Sequence, residues 1–337
     1  MQTATARPTP ALLSSLPRPS GRQTAIASLL VGAACFGLGT VASKGALDGF
    51  APLTLAAARF AIAAVVLTVL CRARGIAPVY DGRAVLLGLT GIALPFGFQN
   101  LGLTETSAGS ALLLVEGGVP LMTAVLGLLL LRERIGGACL CGLVLGVGGV
   151  AAVAVEELGG GTPVGGAALS LASAAAFAVY TVLGRRIFRG GFSLEVLAGG
   201  TTLGTLMLVP LAGVEVRASG LPSPDLGEIG LLLFLGLIGS AATQVLWAHG
   251  MAHLDAAEVG VFGTFIPIVG IAAAALLLGE PVSSAQLLGA ALIAGGMVVT
   301  VRTAPLRRPR ILRRRQPRPL ETIRAAAHGD LSSRWVA

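Results

Sequence analysis

Two charged side chains interrupt long apolar runs: Arg59 in LTLAAARFAIAA and Glu116 in LLLVEGGVP. A carboxylate in such surroundings can take an amine or carry a proton, and a guanidinium can grip a carboxylate in a bidentate fork. Placing either charge mid-membrane costs about 3 kcal/mol on insertion scales, so such residues face a cavity or a partner. Counted from the ends of their apolar runs, both lie ~12 Å from the same face at 1.5 Å per residue, a depth at which they could pair. The structural alternatives are an ion pair that only holds helices together, or side chains that snorkel to the surface.

Uncharged polar groups are the next candidates. Gln99 and Asn100 share one apolar run, and Gln244, Trp247 and His249 share another. Gln99, Asn100, Gln244 and Trp247 can line a cavity and hydrogen-bond a solute, with Thr40 and Tyr180 as further candidates on the same logic. Trp247 could instead anchor at the membrane interface, and His249, near the end of its run, reads as water-exposed. Pro120 and Pro267 each remove a backbone hydrogen bond inside a helix. With Gly117, Gly118 and Gly263 beside them, they mark bends that can expose carbonyls to a transport pathway, or plain packing kinks.

Other chemistries find little footing. The chain has three histidines, no His-Glu-x-x-His and no evident Ser-His-Asp set, which argues against an intramembrane enzyme. Lys44 is the sole lysine and no GxxxxGK[ST] surrounds it, so no primary pump is encoded here. Cys35, Cys71, Cys139 and Cys141 lie in or beside apolar runs without zinc-site spacing, and read as small buried hydrophobes. No metal site and no cofactor is expected.

The elements that must position these residues follow from composition. Of 337 residues, 54% are hydrophobic and 12% charged, far from a soluble domain's quarter charged. Apolar runs near the ~20 residues needed to cross a bilayer recur along the chain. They fall at 24–43, 52–71, 84–103, 107–131, 136–155, 164–184, 194–214, 228–250, 256–278 and 284–301. The expected fold is an all-α integral membrane protein of ten transmembrane helices.

The turns carry the charges. With the N-terminus inside, all but three of the 24 basic residues are cytosolic, the exceptions being Lys44, Arg59 and Arg217. Both termini are therefore expected on the cytoplasmic side. Residues 1–23 read as a disordered cytosolic tail, 156–163 as an extracytoplasmic linker, and 303–337 as a basic cytosolic tail. That tail, with its RRPRILRRRQPRP, suits anionic lipid headgroups; nucleic acid is not expected as a partner.

The chain also repeats itself. A shift of 147 residues aligns Pro120 with Pro267, Glu133 with Glu280, Gly142 with Gly289, and Gly148-Gly149 with Gly295-Gly296. A shift of 148 aligns Gly88 with Gly236, Gly91 with Gly239, Gly102 with Gly250, and places Gln99 opposite Trp247. A weaker shift of 141 pairs Phe36 with Phe177, Thr40 with Thr181 and Lys44 with Arg185. The halves are 24–155 and 164–302. Each holds five expected spans, an odd number, so the second must run inverted, the architecture of many secondary transporters. Glu133 and Glu280 would then face opposite sides, which favours capping or turn-fixing over a shared site. Glu116 has no twin, since the shift sets it against Gly263.

The stretches CFGLGTVASKGALDGFAPLTLAAARFAIAA (35–64), LGLTETSAGSALLLVEGGVPLMTAVLGLLLLRERI (101–135) and AHLDAAEVGVFGTFIPIVGIAAAALLLGEPV (252–282) carry a family likeness. Over about residues 24–302 the chain resembles the EamA-type members of the drug/metabolite transporter superfamily. It departs at Phe36-Gly37, where Trp-Gly is common, and in the seventh span, which has no counterpart of Arg59. The resemblance implies a carrier of small metabolites in the bacterial inner membrane, often an exporter of amino acids or similar solutes. The expected function is secondary active transport by alternating access, driven by a proton or substrate gradient. Import or exchange, an intramembrane enzyme and a channel are the alternatives. Substrate identity and the choice between monomer and homodimer stay open.

Overall fold

The computed structural model describes residues 21–131, 137–159, 164–187, 193–254, 262–263 and 265–303. The chain divides into two units, Met1–Thr303 and Ala304–Ala337, and every described residue belongs to the first. Glu133, the expected tails up to residue 20 and from 304, and residues 160–163 of the expected linker lie outside the described residues.

Among the described residues all regular structure is helical. The helices are α1 (Gly21–Ala46), α2 (Pro52–Ala73), α3 (Gly82–Leu103), α4 (Ala108–Leu131) and α5 (Gly137–Gly159). They continue as α6 (Val164–Ile187), α7 (Leu194–Ser219), α8 (Leu226–Gly236 with Leu237–Ala242 and Thr243–His253), α9 (Phe265–Leu277) and α10 (Ser284–Thr303). Seven of them, α1, α2, α3, α5, α6, α7 and α8, carry stretches long and apolar enough to cross a membrane. Shorter apolar stretches are described within α4, α9 and α10.

Large aliphatic side chains point outward, Val65, Val69, Val144 and Val214 all being more than half exposed, as suits a surface wetted by lipid. The interior is built from small residues that let backbones touch. A Cβ placed on Gly88 of α3 would lie 2.5 Å from the Gly200 carbonyl of α7. One on Gly149 of α5 would lie 2.8 Å from the Gly289 carbonyl of α10, and one on Gly296 of α10 lies 2.5 Å from the Gly142 carbonyl of α5. Glycine is needed at these crossings because, without a hydrophobic drive between helices in lipid, close van der Waals contact must hold them.

α3 and α8 each contain a π-helical turn, at Leu89–Ala93 and Leu237–Ala242. A π-turn holds one residue more than the α-helix around it and takes one carbonyl out of the regular ladder. The two turns are 148 residues apart, the same offset that relates Gly88 to Gly236.

One end of the bundle is tightly cross-linked; it gathers the C-termini of α1, α3 and α9 and the N-termini of α2, α4 and α10. Glu215 of α7 accepts from the backbone N–H groups of Leu53 (3.1 Å) and Thr54 (2.7 Å), capping α2. Glu280 accepts from Ala108 N–H (2.9 Å) and Gly109 N–H (3.3 Å), capping α4. A carboxylate at a helix N-terminus satisfies orphan donors and opposes the positive end of the dipole. Lys44 does the converse for α3, donating to the carbonyls of Leu103 (2.5 Å) and Thr106 (2.7 Å). Gln286 donates to Ser107 and Ser110, and Ser283 to Glu156.

Candidate functional site

Arg59 lies about two helical turns beyond the Glu215-capped start of α2, and its side chain is 3% exposed. Its Nε donates to Ser240 Oγ at 3.0 Å, Nη1 to Ser43 Oγ at 2.9 Å, and Nη2 to the Gly239 carbonyl at 3.2 Å. The guanidinium carbon sits 5.1 Å from the Phe60 ring centroid and 5.0 Å from that of Phe96. Gly239 and Ser240 belong to the π-turn of α8, so the turn supplies a carbonyl for the cation. Gly39 of α1 and Gly239 face each other beside it, with room for no bulky side chain between.

No carboxylate reaches this cation among the described residues. Three neutral acceptors and two ring faces hold it, with a further hydrogen free on each terminal nitrogen. A buried guanidinium held only by neutral groups retains strong attraction for an anion, because the desolvation of the charge is not offset by an ion pair. Phe36, Phe60, Phe96, Phe177 and Tyr180 form a continuous ring cluster around it, with neighbouring centroids 4.5 to 6.5 Å apart.

Glu116 does not join Arg59, whose polar contacts go to α1 and α8. It is half-buried on α4, with no hydrogen-bond or ion-pair partner among the described residues. The glycines after it explain its aim. A Cβ on Gly117 would meet Ile293 at 2.6 Å and Val150 at 2.8 Å, and one on Gly118 would meet Ala174 at 2.9 Å, so α4 presses against α5, α10 and α6 there. Glu116 turns to the remaining side, one turn below Leu112, which packs with Ala33, Ile266, Phe36 and Trp247. Thr123, on the same face two turns from Glu116, also has a buried hydroxyl with no partner.

The remaining sequence candidates separate into two groups. Gln99 donates to Thr40 at 3.4 Å, and Asn100 donates to the Pro52 carbonyl at 3.1 Å, leaving its Oδ1 unpartnered. Both are buried and act as cross-links between helices near the tightly linked end. Tyr180 lies flat on Gly91 in the π-turn of α3, where a Cβ would come within 2.4 Å of the ring. Beside it Thr201 and Gln244 are hydrogen-bonded at 3.0 Å, and the three residues border a small recess with Leu87, Ile92, Leu197 and Gly200. Trp247 packs in the aromatic and aliphatic contact between α1, α8 and α9. Pro120 stands inside α4, whereas Pro267 is the third residue of the described α9. His249 is half-buried, its ring 4.4 Å from that of exposed His253.

Sequence reasoning missed Ser43, Ser240 and Thr201. It also left Pro95 unread, although this residue directly follows the π-turn of α3 and removes an N–H there. The pairing of Phe36 with Phe177 was the one signal for the ring cluster.

The EamA-like transporter family matches residues 23–155 and 164–302. A "Probable terminal-alkyne amino-acid exporter" of Streptantibioticus cattleyicolor is 30% identical over 269 residues, 78% of this chain and 88% of that protein. A "Probable amino-acid metabolite efflux pump" of Escherichia coli is 26% identical, covering 83% of this chain and 95% of its own length. A transporter of Archaeoglobus fulgidus is 27% identical over 79% of this chain and 95% of that one. A solved crystal structure superposes with TM-score 0.58 at 23% identity, over 84% of this chain and 96% of the other, a likeness of fold. With two matched stretches covering most of the chain and several membrane-length helices, this multi-pass membrane protein belongs to the EamA-like transporter family.

Proposed function

We propose that the protein is a secondary active exporter of small amino-acid-like solutes, working by alternating access in the bacterial inner membrane with both termini cytoplasmic. Arg59 takes the substrate carboxylate, and Glu116 takes its ammonium or carries the coupling proton. The observation that carries this reading is the buried guanidinium of Arg59, held by three neutral acceptors with no carboxylate in reach among the described residues. The names of the Streptantibioticus and Escherichia relatives support an amino-acid-like solute and the outward direction.

The reading includes ten spans in two inverted five-helix halves, 24–155 and 164–302. What supports it is the exchange of contacts between the halves. The sequence offsets turn Gly149 against Gly289 into Gly296 against Gly142, and both crossings occur between α5 and α10. With α2 and α7 offset by 142 residues, as their first residues Pro52 and Leu194 are, Gly88 against Gly204 likewise becomes Gly236 against Ile62, again both present. On the charge distribution the cross-linked end faces outward, so this conformation is closed to the outside. The basic tail after residue 302 lies against anionic lipid at the inner surface.

The test is flux of labelled amino acids in proteoliposomes. Arg59→Gln is expected to lower flux of carboxylate-bearing solutes by at least ~10-fold, the loss of one charge-assisted contact of roughly 1.4 kcal/mol or more. Unchanged flux would remove Arg59 from the site. A reporter fused after Ala337 that proves extracytoplasmic would overturn the orientation.

A further inference from the structure

The seat of Arg59 has a counterpart in the other half, where no cation stands among the described residues. The shift of 141 carries Gly39 to Tyr180, the 142-residue offset between the starts of α2 and α7 carries Arg59 to Thr201, and the shift of 148 carries Ile92 to Ser240 and Phe96 to Gln244. In the first seat Arg59, Gly39, Ser240 and Phe96 are together. In the second, Thr201, Tyr180, Ile92 and Gln244 border one recess, against the π-turn of α3 as Arg59 sits against the π-turn of α8. A long cation in one half is thus replaced by a short threonine in the other, and the recess beside it, of about 10 Å³, has room for one head group the size of a water or an ammonium.

The polar groups of this recess reveal what fits. Thr201 Oγ lies 2.9 Å from the Leu197 carbonyl and 3.0 Å from the amide oxygen of Gln244, while Gln244 Nε2 is buried with no partner. A hydroxyl has one proton and cannot serve both acceptors. Rotating the amide by half a turn resolves both faults, since nitrogen and oxygen exchange places. Gln244 then donates to Thr201, Thr201 donates to Leu197, and Gln244 Oε1 is left facing the recess as a free acceptor. A free carbonyl oxygen beside the ring of Tyr180, in otherwise apolar walls, suits a small cation with N–H donors.

We propose that this recess, formed by Tyr180, Thr201 and Gln244, binds the ammonium group of the substrate. The inference rests on the inverted-repeat, amino-acid-like reading above and assigns one of the two roles left to Glu116: the ammonium goes to the recess, and Glu116 is the proton-carrying group. Gln244 stands four residues along α8 from Ser240, which holds Arg59, so the two seats lie about one turn apart on one helix.

The experiment measures stabilisation of the purified full-length protein in detergent by two probes, propylammonium and propionate, with propanol as the neutral control. Propylammonium is expected to stabilise the protein. Gln244→Glu should tighten propylammonium ~10-fold by adding a charge, and Gln244→Met should loosen it by a similar factor, with propionate unchanged in both. Thr201→Arg, which supplies the second half with its own guanidinium, should abolish propylammonium stabilisation. Arg59→Gln should remove the response to propionate and leave that to propylammonium. A protein that ignores propylammonium, or answers it equally in Gln244→Glu and Gln244→Met, overturns the proposal even if Thr201→Arg fails to fold. Loss of the propionate response alone, with no amino-acid flux, would instead count against the transport reading.

Discussion

Arg59 and Glu116 invite variants that keep shape and remove charge. Replacing Arg59 with Met removes a buried cation whose desolvation is only partly offset by neutral acceptors, and Ser43 already donates to the Gly39 carbonyl of its own helix. The stability of Arg59→Met is therefore expected within about 1 kcal/mol of the parent, or above it, while transport falls; melting in detergent and flux in vesicles check the two halves of this statement. Glu116→Gln is expected to flatten the pH dependence of flux across the neutral range, and an unaltered profile would clear Glu116 of any proton role. Both charges were legible in the sequence because apolar runs make a charge conspicuous. Ser43, Ser240 and Thr201 were not, for a physical reason: hydroxyl residues in such helices commonly bond their own backbone, as Thr181, Thr202 and Thr205 do here and as Ser43 and Thr201 also do, and nothing in the residue type tells which of them meet a second partner.

The helices depend on where backbones touch. A methyl on Gly88 would meet backbone atoms of Gly200 at 2.5 Å and Gly204 at 2.7 Å, which cannot swing aside. Gly88→Ala is expected to cost about 1–3 kcal/mol. Gly230→Ala, with nothing within 4 Å, should be neutral or stabilising, and paired melting curves separate them. At the start of α3, Asp81 accepts from the Arg83 side chain (2.8 Å) and from Ala84 N–H (3.1 Å). These contacts hold its carboxyl below the usual range. The cap's contribution is then full above the ordinary carboxylate range, near pH 4, and fades as pH falls through the lower folded value. NMR titration of that carboxyl reads it directly. The seven membrane-length helices were visible in hydropathy, since a long apolar run is itself the signal for a span. The π-turns were not: Leu-Ile-Gly-Ser-Ala-Ala contains no residue that an α-helix would refuse.

For the molecule as a whole, the informative feature is that capping contacts at one end tie together helices distant in sequence. Glu215 and Glu280 each borrow the N-terminus of a helix distant in sequence, so opening that end must release both. With native cysteines replaced and Ser110→Cys introduced, labelling by an impermeant maleimide from outside is expected to rise when Glu280→Gln is added. The same rate in both backgrounds would exclude Glu280 as a restraint. Recurring offsets of glycines, prolines and glutamates were legible in the sequence, whereas the proposed correspondence of Thr201 with Arg59 was not, because it depends on which backbones cross. The two π-turns bear finally on how this chain tolerates a change of length. Deleting one residue elsewhere in a span would rotate everything beyond it by ~100° about the helix axis. Deleting one within Leu237–Ala242 removes only the surplus residue of the turn. Deletion scanning should therefore find these two short windows the most forgiving for folding, and the one in α8 unforgiving for transport, because the straightened helix reclaims the carbonyl that Arg59 now holds.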